Sequence, residues 1–389
     1  MTEKVKLNEI TDIYLGVTHT PEYVLDGVPF LSVKDISGGK ICFDECKFIS
    51  QKEYNSLSEG AKPKVGDMLF CRVGTIGKPI IIPEGTPLFG SFVSLGYLRN
   101  KAKDRCNLNY LRYWMYSNSF WKQVNKNVKG ASQVNLNTGW LSNFEIRLPD
   151  FSEQTYIVSI LDKCKLIIER REEELKKFDN LIRARFVEMF GSIYNNEYGY
   201  DIKTLQDVCE QIKDGTHQTP TYTEDKEKGF KFLSSKDVVS GKIDWSRVKY
   251  ISAELHEELY SRIKPKRGDL LLAKNGTTGV AAIVETDEVF DIYVSLAILR
   301  PVDINSVYLW GAINSMESKR QFDESLKGIG VPNLHLGEIK KTKIVVPPIQ
   351  IQEVFEQFVL QINKSKVEVK RALDEAQLLF DSLMQKYFG

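Results

Sequence analysis

The chain states one globular unit twice. A stretch beginning near Leu7 recurs, with its landmarks in the same order, beginning near Leu205. Phe30-Leu31-Ser32-Val33-Lys34-Asp35-Ile36 is answered by Phe232-Leu233-Ser234-Ser235-Lys236-Asp237-Val238. Lys62-Pro63-Lys64-Val65-Gly66-Asp67-Met68-Leu69 is answered by Lys264-Pro265-Lys266-Arg267-Gly268-Asp269-Leu270-Leu271. Thr18-His19-Thr20-Pro21 pairs with Thr216-His217-Gln218-Thr219-Pro220, Asn135-Leu136 with Asn333-Leu334, and Phe190-Gly191 with Phe388-Gly389. Gly66 and Gly268 lie 202 residues apart and Gly191 and Gly389 lie 198 apart, so only small insertions separate the copies. Solenoid units run to tens of residues; each copy here is long enough to be a domain.

At 389 residues, with 42% apolar and 27% charged side chains, the chain has the composition of a globular protein with two cores, which argues against disorder. Its 53 basic and 52 acidic residues leave no global basic bias, so a nucleic-acid footprint has to be a local surface. Six cysteines do not recur at matched positions, which excludes a duplicated disulfide framework or zinc site and predicts reduced, buried thiols. No signal-peptide core follows Met1 and no apolar run approaches the roughly 20 residues that span a bilayer, so a cytoplasmic protein without membrane contact is expected.

Each half changes character once. Up to about residue 150 the text reads as short strands and turns, with a helical stretch over 110–121, giving an α+β domain. From 152 to about 190 Gly and Pro disappear and Ser152 is placed to cap a long helix; its mate runs from about 350 to 387. In the first helix Leu161, Ile168, Leu175, Ile182 and Met189 fall on one seam and Ile157, Cys164, Arg171, Phe178 and Arg185 on the other. In the second, Phe355, Ile362, Val369, Ala376 and Leu383 alternate with Val359, Lys366, Leu373, Phe380 and Tyr387. Such heptads predict an antiparallel coiled coil, the alternative being that each seam docks on its own domain. The expected organisation is 1–150 domain, 151–191 spacer helix, 192–348 domain and 349–389 spacer helix, a pseudo-two-fold repeat. Two related heads on a helical spacer suit two half-sites on duplex DNA, whose turn is about 34 Å.

The residues match a known family at this point. The order of a strand-rich domain, the boundary Pro149-Asp150-Phe151-Ser152-Glu153-Gln154, a long helix ending in Phe-Gly, and the whole unit again resembles the specificity subunit (HsdS) of type I restriction-modification systems. Arg72-Val73-Gly74-Thr75-Ile76-Gly77 and Val134-Asn135-Leu136 carry the resemblance further, over the full chain. The second boundary, Pro347-Pro348-Ile349-Gln350-Ile351-Gln352, departs with Ile351 where the family often has Glu, which bears on helix capping. The resemblance implies two tandem α/β target recognition domains, each reading part of a split DNA site, and paired helices that set the spacing and dock partners. It also implies two methyltransferase subunits that carry S-adenosylmethionine, and restriction subunits that use ATP and magnesium; this chain itself would hold no cofactor and no metal. A type IIB-like methylation system, or a coiled-coil scaffold that does not read DNA, are the alternatives.

The residues argue independently against catalysis. The only Pro-Pro is Pro347-Pro348, at a domain-helix junction and not in an Asn- or Asp-Pro-Pro-aromatic loop. Gly74-Thr75-Ile76-Gly77-Lys78 lacks the Ser/Thr of a Walker loop, having Pro79, and no acidic cluster has nuclease spacing. For DNA contact, the glycine loops 72–77 and 274–279 expose backbone N–H groups, with Arg72, Thr75, Lys274, Asn275 and Thr277 as candidates, although a tight hairpin explains the glycines equally. Thr18, His19, Thr216 and His217 are candidates for phosphate or base contact or for stabilising their loops, and Lys34 and Lys236 for phosphate contact. The loops holding Lys129, Gln133 and Asn135, and Lys327 and Asn333, have the lysine and amide content of a groove-facing segment. Base readers are expected where the copies diverge, at 84–92, 218–228 and 285–292.

Overall fold

The computed structural model describes residues 3–36, 38–74, 76–127, 135–218, 220–239, 241–276, 278–326 and 332–389. Thr75, Lys129, Gln133, Thr277 and Lys327 lie outside the described residues. The chain forms two compact units, Met1–Glu172 with Arg371–Gly389, and Glu173–Lys370. The units cut across the expected boundaries, because each joins one domain to part of both long helices.

In unit 1 the main sheet is antiparallel in the order Thr11–Leu15, Leu95–Asn100, Met68–Cys71, Gly77–Ile81. Met68–Cys71 is apolar throughout and fully buried, as a central strand covered on both faces should be. A smaller mixed sheet runs Tyr23–Val24, Lys47–Ile49, Val28–Leu31, Gly90–Ser91, its last pair parallel. Glu3–Lys6 pairs with Glu145–Leu148 and brings the start of the domain to the foot of the first long helix. Unit 2 repeats the plan: Cys209–Asp214, Leu296–Pro301, Leu270–Ala273 and Ala281–Ile283 in one sheet, Tyr222–Thr223, Lys249–Ile251, Phe230–Leu233 and Phe290–Ile292 in the other. Asp201–Thr204 closes it against Lys343–Val346. In unit 2 a short hairpin also pairs Val238–Val239 with Lys242–Ile243.

Matched polar anchors explain the shared sequence. Asp67 accepts a forked pair from Arg99 (2.9 and 2.7 Å) and the Lys64 N–H (2.8 Å). Asp269 does the same with Arg300 (both 2.8 Å) and the Lys266 N–H (2.8 Å). The Gly-Asp motif is therefore a buried ion pair that fixes the end of a central strand. Tyr110 and Tyr308 donate to the carbonyls of Arg147 and Val345.

Both long helices run 40 residues, Phe151–Phe190 and Ile349–Phe388. The first is capped by Asp150, not Ser152: Asp150 Oδ1 accepts from the Glu153 N–H (2.9 Å) and the Ser152 hydroxyl (2.6 Å), and these bonds hold its carboxyl below the usual range. Pro348 stands at the matching place, so the second helix has no side-chain cap there. The buried partner of each junction is a glutamine. Gln154 accepts the Asn107 N–H (2.8 Å) and donates to Pro149 O (2.8 Å); Gln352 accepts the Asn305 N–H (2.9 Å) and donates to Pro347 O (2.7 Å).

All twenty seam positions are buried or half-buried. In unit 2 the Phe355 ring meets Phe186 (5.4 Å) and Phe190 (5.5 Å), while Lys366 pairs with Asp179, so the numbering runs in opposite directions along the two helices. In unit 1 Tyr113 donates to Asp162 (2.5 Å) of the first helix and packs against Phe380 (6.2 Å) of the second. Helix pairing and domain docking coexist: Phe186, Phe190 and Phe355 belong to the core of unit 2, and Ile157, Leu161 and Phe388 to that of unit 1. No helix among the described residues is long and apolar enough to cross a membrane. All six cysteines are free; five are buried, and Cys42 is exposed against expectation.

Candidate nucleic-acid interface

Loops distant in sequence meet at one end of the main sheet in unit 1. The Arg72 N–H donates to Ser94 O (2.9 Å), the Leu136 N–H donates to Arg72 O (2.9 Å), and Val73 bridges to Asn135. Val17 bridges to Phe92, with the Val93 N–H on Val17 O (2.9 Å), and Ser94 Oγ accepts the Val33 N–H (3.2 Å). The segments holding Thr18, His19, Lys34, Arg72 and Asn135 are thereby tied together. Unit 2 repeats the connections: Lys274 with Ser295 (2.8 Å) and Leu334 (2.9 Å), Asn275 with Asn333, Thr216 with Tyr293 and Val294 (3.0 Å), and Ser235 with Ser295 Oγ (2.9 Å).

The cations of the glycine loops face inward. Arg72 donates through Nε to Leu136 O (3.1 Å) and through Nη1 to Val93 O (3.3 Å), lacing the loops together. Lys274 is buried, its Nζ 2.8 Å from Asp214 Oδ2. Burial opposes ionisation of Asp214, but the hydrogen bond and charge of Lys274 outweigh it and hold the carboxyl below the usual range. The loops themselves do take left-handed glycines, with φ of +71° at Gly74 and +76° at Gly276, and a Cβ at either would meet no atom within 4 Å. Their glycines thus answer to backbone conformation, and the space beside Gly74 and Gly276 is open.

Thr18, His19 and His217 are exposed. The bridges show that Val17 matches Thr216, so Thr18 corresponds to His217 and the two histidines are not equivalent, contrary to the motif pairing in the sequence. His19 Nε2 lies 3.8 Å from Glu53, and His217 Nε2 lies 3.5 Å from Asp214. Thr216 is buried and its Oγ1 accepts the Gln218 N–H (3.2 Å), a loop-stabilising role. Asp35 and Asp237 organise their turns by accepting the N–H and hydroxyl of Ser32 (2.6 and 2.8 Å) and of Ser234 (2.7 and 2.9 Å), which leaves Lys34 and Lys236 on the exposed side. Asn135 is exposed; Asn275 and Asn333 are half-buried.

The divergent segments divide. Residues 84–88 and 285–289 are connections without regular structure that leave the main sheet from the Asp67 and Asp269 end, away from the loop cluster. Gly90–Ser91 and Phe290–Ile292 are buried strands, so divergence there records packing and not base reading. In unit 2 Asp291 faces His256 Nδ1 (2.7 Å), whose ring stacks on Phe230 (3.7 Å); the matching residues of unit 1 are Gly90 and Tyr54. Burial pushes the Asp291 carboxyl up against the opposing pull of His256. In the segment 218–228, which contains the strand Tyr222–Thr223, the described residues Gln218, Thr221 and Glu224 to Lys228 are exposed polar side chains.

One duplicated surface feature escaped the sequence reading. Lys47 lies over the Tyr23 ring (4.0 Å) and Lys249 over the Tyr222 ring (3.9 Å), each pair exposed and just beyond the loop cluster. The signal was present, since each lysine directly precedes the repeated Phe48-Ile49-Ser50 or Tyr250-Ile251-Ser252. Among the described residues no group of three His, Cys, Asp or Glu side chains is arranged to hold a metal ion.

Comparison with known proteins adds the family. A model described as the type I restriction modification DNA specificity domain matches residues 2–177 and again 197–376. The type I restriction enzyme MjaVIII specificity subunit of Methanocaldococcus jannaschii is 23% identical over 193 residues, 46% of this chain and 42% of that protein. The MjaIX specificity subunit of the same organism is 21% identical over 98% of this chain and 91% of its own length. The type I restriction-modification S subunit from M. genitalium has a similar fold, with a TM-score of 0.56 at 14% identity over 100% of this chain and 96% of its own. A chain from a structure addressing complex assembly and conformational transition of the type I system reaches 0.62 at 17% identity, over 100% and 97%.

Proposed function

The chain belongs to the type I restriction modification DNA specificity domain family, and we propose that it is the DNA sequence-specificity subunit of a type I restriction-modification complex, each unit reading one half of a split, asymmetric site. The observation that carries this reading is the duplicated loop cluster: the family domain occurs once in each unit, and in each the same loops are tied to the same end of the same sheet. Subunits of this family are not catalytic themselves.

Within the cluster, Arg72 and Lys274 hold the platform. Phosphate contact falls to the exposed Lys34, Lys236, Lys47 and Lys249 and to the N–H groups of the glycine loops. The exposed His19, Asn135 and His217 and the segment 218–228 are the base-reading candidates. Two methyltransferase subunits carrying S-adenosylmethionine dock on the long helices, and restriction subunits bring ATP and magnesium. Each helix is about 60 Å long at about 1.5 Å per residue, a ruler of the right order for half-sites about one DNA turn apart.

The test is the methylome of a host expressing this chain with its neighbouring methyltransferase, against a deletion of this chain alone. A split adenine-methylated motif that disappears on deletion is expected. Methylation that persists unchanged in a verified active system would refute the reading.

A further inference from the structure

The two units differ beside the loop cluster. In unit 1 the helix Gln51–Ser56 gives way to a tight turn, Glu59–Ala61, which the Tyr97 hydroxyl holds by donating to Glu59 O (2.9 Å). Gly60 lies so close to the first strand of the main sheet that a Cβ on it would be 3.4 Å from Leu15 O and 3.6 Å from the Tyr14 ring. Gly90 has no room for a side chain either, because a Cβ there would be 2.8 Å from Leu57 Cδ1. Unit 1 fills this place with its own atoms.

Unit 2 opens the same place. Ile298 pairs with Leu271 where Tyr97 pairs with Leu69, so the hydroxyl tether is gone, and the helix Ala253–Arg262 continues past the point at which its counterpart stops. A cavity of about 380 Å³ lies there, within the range of about 300–1,000 Å³ of small-molecule sites. Leu259, Ile263 and Ile292 give it apolar walls. Its four charged lining residues, Lys213, Asp214, Arg262 and Asp291, stand where unit 1 has the uncharged Tyr14, Leu15, Gly60 and Gly90. Asp214 is taken by Lys274 (2.8 Å), and Oδ2 of the buried Asp291 by His256 Nδ1 (2.7 Å), which fixes that carboxylate in the wall. Lys213 and Arg262 are exposed and have no hydrogen-bonding or ionic side-chain partner among the described residues.

We propose that this cavity binds a single nucleotide, its phosphate on Lys213 and Arg262 and an amino group of its base on Asp291. The chemistry of the walls sets that class of ligand. A ring system suits the apolar walls, the buried carboxylate accepts from an exocyclic amine, and the two free cations at the exposed rim call for an anion. Gly215 and Thr216 of the loop cluster also line the cavity, so a nucleotide turned out of a duplex and a free mononucleotide would present the same chemistry to it. The inference rests on the comparison of the two units and holds whether or not the chain reads DNA.

The probes are the 5′-monophosphates of deoxyadenosine, deoxyguanosine, deoxycytidine and thymidine, titrated by calorimetry onto the full chain, with inorganic phosphate as the control. Saturable binding of an amino-bearing nucleotide is expected, tighter than that of thymidine monophosphate or phosphate. Arg262→Glu and Asp291→Asn should each weaken it about ten-fold or more. The first replaces an exposed side chain and keeps the parent melting temperature; the second keeps an acceptor for His256. Absence of saturable binding by all four nucleotides, binding no tighter than that of phosphate, or binding indifferent to both substitutions overturns the proposal. A duplex oligonucleotide then separates the two sources. Displacement of the bound nucleotide by a duplex whose own binding Asp291→Asn weakens assigns the cavity to a nucleotide turned out of DNA, and a duplex that does not displace it leaves the free mononucleotide as the ligand.

Discussion

Lys274 is a cation that a sequence reader assigns to phosphate and the fold assigns to Asp214. Removing one partner of a buried pair leaves the other uncompensated, a loss of roughly 3 kcal/mol, so Lys274→Met is expected to destabilise unit 2 by about that amount in urea unfolding. The Asp214 carboxyl is held below its ordinary value, so the pair's contribution is complete above the unfolded carboxyl pKa of about 4 and is lost as pH falls through the lower folded value. The variant should therefore show a flatter acid limb. Unchanged stability with a salt slope of DNA binding reduced by about one would instead make Lys274 a phosphate ligand. Gly215 poses a steric question: a Cβ there would lie 2.0 Å from Ile292 O, and Gly16 has the matching approach to Ser91 O at 2.2 Å. Neither contact is with a side chain that can turn away. Gly215→Ala is expected to part the loop from the strand, costing about 2 kcal/mol or more and exposing amides 215–216 to hydrogen exchange, whereas Gly276→Ala, in open space, is limited to the strain of its positive φ.

Elements were more legible than residues because burial imposes a period and chemistry does not. A heptad can be counted, and every counted position of the long helices is at least half-buried. The count missed Phe186 and Phe190, since a helix of 3.6 residues per turn drifts about 20° per heptad and its last turns face the domain. Ser152 was a plausible cap by composition; Asp150 won because it sits three residues before the Glu153 N–H that needs an acceptor. The Thr-His recurrence misled for a different reason: the same letters fall one residue out of step, and only the bridge of Val17 to Phe92 against Thr216 to Tyr293 fixes the register. Side-chain partners such as Arg72 with Leu136 O join positions 64 apart, which no local pattern encodes. Where the heptad meets the domain, Phe355 is fully buried between Phe186 and Phe190. Phe355→Ala is expected to cost about 3–5 kcal/mol, whereas Leu378→Ala, exposed on the same helix, is expected to change stability by less than about 0.5 kcal/mol. Equal losses for the two, measured by urea unfolding, would disprove the packing assigned to the seam.

At the scale of the whole molecule the repeat makes the proposed function modular in two separable ways. If each domain reads its own half-site, replacing 1–150 with the corresponding domain of another family member should alter one half of the methylated motif and leave the other half and the spacing intact. Recognition and spacing then respond to different edits. Deleting one heptad from each long helix, 165–171 and 370–376, removes seven residues from each strand of the pair while keeping both seams in phase. At about 1.5 Å per residue this shortens the pair by about 10 Å, and at about 3.4 Å per base pair the spacer between half-sites should contract by about three base pairs. The half-sites themselves should not change, because the bonds described for each loop cluster join residues of one unit. Methylome sequencing of the deletion strain reads both quantities at once. A motif with altered bases and the old spacing would mean that the helices shape the recognition surfaces rather than set their separation, and would remove the ruler from the mechanism while leaving the reader in place.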